Sequence, residues 1–396
     1  MMKKRQLKAV FAMFLLAGGV LAGCGNTEKT ATTEKQAEKT EKTEQTEKSE
    51  GEKEEINYGE AFKEAVTELE KAKTGEKVDF DKVTTIYTTK LQALVQKRDA
   101  EFQDTLDQHI TAALSAGKDG SMAPMVVKQL FDKLMQKVFY ATIKHEFTEV
   151  EEHWGNQEKV KEEVEEAKEF YAILQSTVEK RDAAYGTNLV DTINGAFSDI
   201  ESAVEKGDAL AFALGKQVID KTLMKTFYLA TGALPHGYAS KAAAEAKENA
   251  DEAKVEQAEG WAFYQSVYPY MKKHAPEEAD YILQQFDLQT DVKTLDPIAI
   301  NKAFIRGWAK VALHEYEESE ENWGQDKSAV TALEGALFID MIGSDLKTLL
   351  GEQAFTTLND QAHKYLEAAK AKNKEEGEKL LKQIEVTLHA AIEKAK

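Results

Sequence analysis

Two stretches of this sequence concentrate the residue types that hold metal ions. One reads His145-Glu146-Phe147-Thr148-Glu149-Val150-Glu151-Glu152-His153-Trp154-Gly155. The other, 169 residues later, reads His314-Glu315-Tyr316-Glu317-Glu318-Ser319-Glu320-Glu321-Asn322-Trp323-Gly324. Both keep His, Glu, an aromatic ring, three further Glu, Trp and Gly in order. Imidazole nitrogen and carboxylate oxygen in this density suit iron, zinc or manganese, and the lack of sulfur argues against copper(I). The expected ligands are His145, Glu149, Glu152, His314, Glu318 and Glu321. Glu146, His153 and Glu315 are expected as auxiliary ligands or as their support. One joint centre and two separate ones both fit the pattern.

The helices that must carry these residues suggest which way they point. Positions seven apart share a helix face, and positions three or four apart adjoin. Phe131, Val138, His145 and Glu152 form one such series, and Met135, Thr142 and Glu149 the adjoining one. Ile300, Gly307, His314 and Glu321, beside Phe304, Val311 and Glu318, repeat it. Upstream these series are apolar, while Lys133, Lys137 and Lys144, with Lys302 and Arg306, mark the opposite, polar face. The spacing therefore predicts that His145, Glu149 and Glu152 continue the buried stripe. Unpaired buried carboxylates cost several kcal/mol, and acids at a helix C-terminus oppose its dipole. A bound cation would relieve both conflicts.

The same residues admit a plainer account. Trp154-Gly155 and Trp323-Gly324 look like helix ends, with Gly as a left-handed cap. Phe147 with Trp154, and Tyr316 with Trp323, would then be packing anchors on the other face, and the glutamates a solvated helix end.

Strong helix formers (Ala, Glu, Lys, Leu and Gln) fill the chain, and only five prolines interrupt 396 residues. No alternating β-branched run is long enough for a strand. An all-α fold is expected: a multi-helix bundle or array of about four duplicated units on a disordered N-terminal tether. Lys128-Gln129-Leu130-Phe131-Asp132-Lys133 returns as Lys216-Gln217-Val218-Ile219-Asp220-Lys221. Lys97-Arg98-Asp99 returns as Lys180-Arg181-Asp182, for which a structural role is expected. Glu259-Gly260 with Phe263 returns as Glu334-Gly335 with Phe338. The expected units are 80–156, 157–238, 239–325 and 326–396, each of two long helices, the first able to break in two. A preceding helix over 58–73 is expected to pack on the first unit. Trp261, Phe263, Tyr264, Tyr268 and Tyr270 are expected in the core, and His389 with Glu393 is set aside as surface detail.

Lys3, Lys4, Arg5 and Lys8 precede an apolar stretch and small residues up to Cys24, the sole cysteine. This is the pattern of a secretory signal, shorter than a membrane span. Leu21-Ala22-Gly23-Cys24 resembles the lipobox of bacterial lipoproteins. The resemblance implies removal of 1–23, a lipid on Cys24 and a place on the outer face of the cytoplasmic membrane. Residues 24–57 then form a Thr/Glu/Lys linker with too little apolar surface to fold, and 58–396 the helical domain. The net charge of −19 argues against nucleic acid and suits cationic ligands.

A helical lipoprotein with Glu- and His-rich helix faces is similar to the extracytoplasmic iron-binding partners of bacterial high-affinity iron permeases. The similarity lies in composition and the two eleven-residue motifs. The Gly-x-His-x-x-Glu pattern of the imelysin-like relatives is absent: Leu234-Pro235-His236-Gly237 lacks the Glu. The Glu-x-x-His pattern of ferritin-like di-iron bundles is also missing from both motifs. The expectation is a non-enzymatic, lipid-anchored protein that captures iron or another divalent transition metal. It uses no organic cofactor and passes the metal to a membrane permease or another envelope protein. The alternative is a helical scaffold that binds another envelope protein. Phosphate loops, nucleophile motifs and His-Glu-x-x-His are absent.

Overall fold

The computed structural model describes residues 56–396; Cys24, the signal segment and nearly all of the linker lie outside them. Among the described residues the regular elements are helical, with no strand. Helix α1 (Tyr58–Glu70) is followed by α2 (Phe80–Ile86) and α3 (Gln92–Phe102), which a π-helical turn joins. Next come α4 (Leu106–Lys118), α5 (Pro124–Glu152), α6 (Gln157–Tyr185), α7 (Leu189–Lys206) and α8 (Ala209–Thr231). The second half holds α9 (Tyr238–Glu245), α10 (Ala250–Tyr264), α11 (Tyr268–His274), α12 (Pro276–Phe286) and α13 (Pro297–Glu321). It closes with α14 (Asp326–Met341), α15 (Gly343–Leu350), α16 (Glu352–Lys370) and α17 (Lys374–Lys394).

Local chemistry sets many of these boundaries. Pro124, Pro269, Pro276 and Pro297 stand in the first turns of α5, α11, α12 and α13, where a missing N–H costs nothing. Asp79, Asp208, Asn249, Asp296 and Asn373 cap α2, α8, α10, α13 and α17 through their side chains. Short turns make α5 and α6, α7 and α8, α13 and α14, and α16 and α17 neighbours, and α1 packs on α2 and α5. One apolar core runs through Tyr58–Lys396, which form a single compact unit.

The repeated strings have matching structural roles. Asp99 accepts hydrogen bonds from the Leu106 and Asp107 N–H groups at 2.9 and 2.8 Å. Asp182 accepts from Leu189 and Val190 at 2.7 and 3.0 Å. Each aspartate thus reaches past the turn after its own helix and caps the next one, α4 or α7. The helix that carries each aspartate, α3 or α6, ends where Gln103 or Gly186 takes a left-handed conformation. Replacing Asp182 by Ala is expected to lower stability by about 1–2 kcal/mol, with Asn milder, as read by chemical denaturation.

The other two repeated strings touch each other. Helix α5 packs on α10 as α8 packs on α14. In the first pair Lys133 Nζ lies 2.9 Å from Asp132 and 3.2 Å from Glu259, with the Phe263 ring centroid at 5.0 Å. In the second, Lys221 Nζ lies 2.7 Å from Asp220 and 3.6 Å from Glu334, with the Phe338 centroid at 5.4 Å. Duplication has preserved a buried Asp–Lys–Glu cluster against a phenylalanine.

Candidate metal centre

Both motifs lie at helix ends. α5 stops at Glu152 and α13 at Glu321. Gly324 adopts the left-handed conformation expected of it, at φ +88°, and Gly155 does not. Phe147 packs against Phe197 and Phe212, and Trp154 against Phe212. Tyr316 and Trp323 both meet Tyr365. The aromatic members are packing anchors, which fixes the helix rotation that aims the polar members.

That rotation differs from the one the seven-residue series implied. Positions 126–143 of α5 are buried on every side. Lys133 and Lys137 are inside too, ion-paired to Asp132 with Glu259 and to Asp104. A helix buried all round has no polar face from which to infer an opposite one. Past Ile143 the buried side carries Glu146, Phe147 and Val150, and in α13 Glu315, Tyr316 and Ser319. His145, Glu149, His314 and Glu318 are half-buried, while Glu152 and Glu321 are exposed. Neither Glu152 nor Glu321 continues a core stripe, and among the described residues neither belongs to a group of three ligand atoms. The inward carboxylates are Glu146 and Glu315, assigned only a supporting part by the spacing.

The first copy gathers ligands with help from α3 and α6. His153 Nδ1 lies 3.7 Å from Glu149 Oε2 and 3.6 Å from Glu163 Oε1. Glu149, His153 and Glu163 each place one ligand atom within 4.8 Å of the others, and so do Glu146, Glu163 and Glu166. His145 sits beside them: its Nδ1 is 3.1 Å from Glu101, and its Nε2 is 4.0 Å from Glu149. Burial, the hydrogen-bonded Glu163 carboxyl and the nearby Glu166 push the Glu146 carboxyl up to about 8, against a modest opposing pull from Arg98. The site is short of positive charge.

Glu163, Glu166 and Glu101 were not among the expected ligands, and for Glu163 a signal was available. The turn from α5 to α6 is short, so residues equidistant from it face each other, and Glu146 and Glu163 are such a pair.

The second copy is arranged otherwise. His314 Nε2 lies 3.3 Å from Glu318, whose other oxygen is 3.0 Å from Lys327 Nζ. That ion pair holds the Glu318 carboxyl below its usual range. The His314 ring packs on His274 with centroids 4.2 Å apart. Burial and this second imidazole press His274 down to about 4. The counterpart of Glu163, at the same 169-residue offset, is Ala332. Glu315 instead accepts from Tyr270 Oη at 2.7 Å, and the same hydroxyl reaches Glu334 at 3.1 Å. No group of three ligand atoms among the described residues draws on both copies. Among the described residues only the first brings three ligand groups together.

Compared with known proteins, the chain matches no family model, no curated protein and no solved structure. Its chemistry must be argued from its own residues. No described helix is long and apolar enough to cross a membrane. Phe263 and Tyr264 of the aromatic cluster are buried in the core. His389 and Glu393 are exposed on α17.

Proposed function

We propose that this chain is a lipid-anchored extracytoplasmic binding protein that captures a transition-metal cation, iron first among the candidates, between α5 and α6. In this reading the ligands are Glu149, His153 and Glu163, backed by Glu146 and Glu166, and His145 with Glu101 flanks them. The lipid would sit on Cys24, with a membrane permease or another envelope protein receiving the metal.

The observation that carries this is the geometry at His153. Its Nδ1 is shielded from solvent and makes no hydrogen bond among the described residues. The carboxylate oxygens at 3.6 and 3.7 Å are too far to accept one well. Metal–ligand bonds of about 2.0–2.2 Å give a tetrahedral edge of roughly 3.3–3.6 Å. A nitrogen and two carboxylate oxygens at this spacing fit around a cation better than they fit each other. The raised Glu146 carboxyl points the same way: burial and the neighbouring carboxylates oppose its charge, and a cation would offset them.

Isothermal titration of the purified chain with Fe(II), Fe(III), Zn(II) and Mn(II) tests this. Micromolar or tighter binding is expected, weakened at least 100-fold by a His153→Ala/Glu163→Gln double change. His314→Ala should leave it within about twofold, because Glu318 is committed to Lys327 and, among the described residues, His314 belongs to no group of three ligand atoms. Absence of binding, or binding indifferent to the double change, would remove the metal reading and leave the scaffold alternative.

A further inference from the structure

We propose that the Arg181 guanidinium, beside Tyr238, binds a small oxyanion from solution, a phosphate or a carboxylate. This stands apart from the cation reading above and involves none of its residues. Arg181 is 8% exposed, and its Cζ lies 5.8 Å from the centre of the Tyr238 ring. Its buried Nε has no acceptor, and among the described residues no carboxylate pairs with the guanidinium. A buried charge in this state is costly.

The duplication shows what is missing. Lys97-Arg98-Asp99 recurs as Lys180-Arg181-Asp182, and three residues beyond the two arginines stand Glu101 and Ala184. In the first copy Glu101 pairs with Arg98 at 3.2 Å. In the second, the methyl group of Ala184 cannot do so. The nearby acids are engaged elsewhere. Asp182 accepts from Thr187, Leu189 and Val190. Glu259 accepts from Tyr238 Oη at 2.5 Å and lies 3.2 Å from Lys133 Nζ. Burial and Glu259 push the Glu256 carboxyl up to about 7 against the pull of Lys241, and its buried Oε2 meets no donor among the described residues.

The surroundings are otherwise cationic. Asp132 and Glu259 are buried with Lys128 and Lys133, two charges against two. Lys180 and Arg181 come in addition. Burial, Lys133 and Lys128 hold the Lys180 ammonium below its usual range, although Asp132 and Glu259 pull the other way. An anion beside Arg181 would supply the charge that is lacking where α5, α6, α9 and α10 bring these residues together. A guanidinium offers parallel N–H donors that fit two oxygens of a carboxylate or phosphate. With Lys180 adjoining, phosphate should bind more tightly than acetate, because it carries more charge.

The test is isothermal titration of the purified chain with sodium phosphate and, separately, with sodium acetate, against sodium chloride at matched ionic strength. Saturable binding of one phosphate per chain is expected. Arg181→Gln should weaken it at least about 10-fold, the worth of one charge-assisted hydrogen bond. Arg181→Lys, which keeps the charge and loses the fork, should fall between. Ala184→Glu rebuilds the pair that Arg98 makes with Glu101, so it should fold as the wild type does by circular dichroism and lose phosphate as Arg181→Gln does. Acetate binding more tightly than phosphate, with the same dependence on Arg181, would support the site and assign it to a carboxylate. Binding that the Arg181 variants retain, or heat no greater than chloride gives, would overturn the proposal. So would binding left intact in a folded Ala184→Glu chain, by showing that Arg181 serves packing alone.

Discussion

Replacing Lys221 by Met should destabilise this protein by about 3–5 kcal/mol, the cost of removing one partner from a buried ion pair. The Lys221 side chain is 3% exposed. Burial opposes its charge, but Asp220 and Glu334 more than compensate and hold the ammonium above its usual range. Without it, among the described residues Asp220 keeps only the Tyr140 hydroxyl as a direct partner, at 2.5 Å. Glu334 and Glu315 are left to share Tyr270. At about 2–4 °C per kcal/mol, the melting temperature should fall by roughly 6–20 °C. Lys133→Met is the informative comparison. Asp132 retains Lys128 at 2.8 Å and the Gln136 amide at 2.8 Å, so its loss should be about half as large. Equal losses, or a loss below about 1 kcal/mol at Lys221, would show that the duplicated clusters do not bear on stability as their partners imply.

The second large effect is a fall in stability as pH rises from about 4.5 to 8 in the metal-free chain. Burial and Glu334 push the Glu315 carboxyl up to about 7. Burial and Glu259 do the same for Glu256, also to about 7, and Glu146 reaches about 8. In each case the folded chain holds a proton that the unfolded chain has released, so stability declines with pH across this window. Asp132 and Asp220 act oppositely. Their lysine partners hold them below the usual range despite burial, so their contribution is lost only as pH falls below about 4. Maximum stability should lie near pH 5.

Glu315→Gln isolates one part of this. A glutamine at that position can accept from Tyr270, as Glu315 does, and carries no charge to oppose Glu334. The variant should match the wild type at pH 5 and exceed it at pH 8 by about 1–2 kcal/mol, a figure discounted for water near the site. Urea denaturation at the two pH values, with chelator present, would settle the matter. A variant less stable at both would mean that ionised Glu315 is held by Lys221 more strongly than burial opposes it.

Much of the fold could be read from the amino acids. Prolines in the first turns of α5, α11, α12 and α13, Asp and Asn caps, and the dominance of Ala, Glu, Lys and Leu act within a few residues of themselves. Their consequences, helices and where they stop, are legible one segment at a time. The repeated strings were visible for the same reason, although nothing in them told that Asp132-Lys133 would meet Glu259, or that Asp99 and Asp182 would cap the following helices. The packing anchors Phe147, Trp154, Tyr316 and Trp323 were also legible as large rings seven apart.

The candidate site was legible only by half. The sequence by itself determined an all-helical chain, its duplication, and that His145, Glu146, Glu149 and His153 stand together near the end of α5. Only the tertiary structure decided that Glu146 points inward and Glu152 outward, that α6 contributes Glu163 and Glu166, and that the second copy closes on Lys327 and His274. The physical reason is that burial belongs to neighbours and not to period. Lysines that pair with Asp104, Asp132 and Glu259 can be core residues, and once they are, apolar spacing no longer marks the inside of α5. Which carboxylates converge then depends on the rotation set by its packed rings and on what the adjoining helix presents.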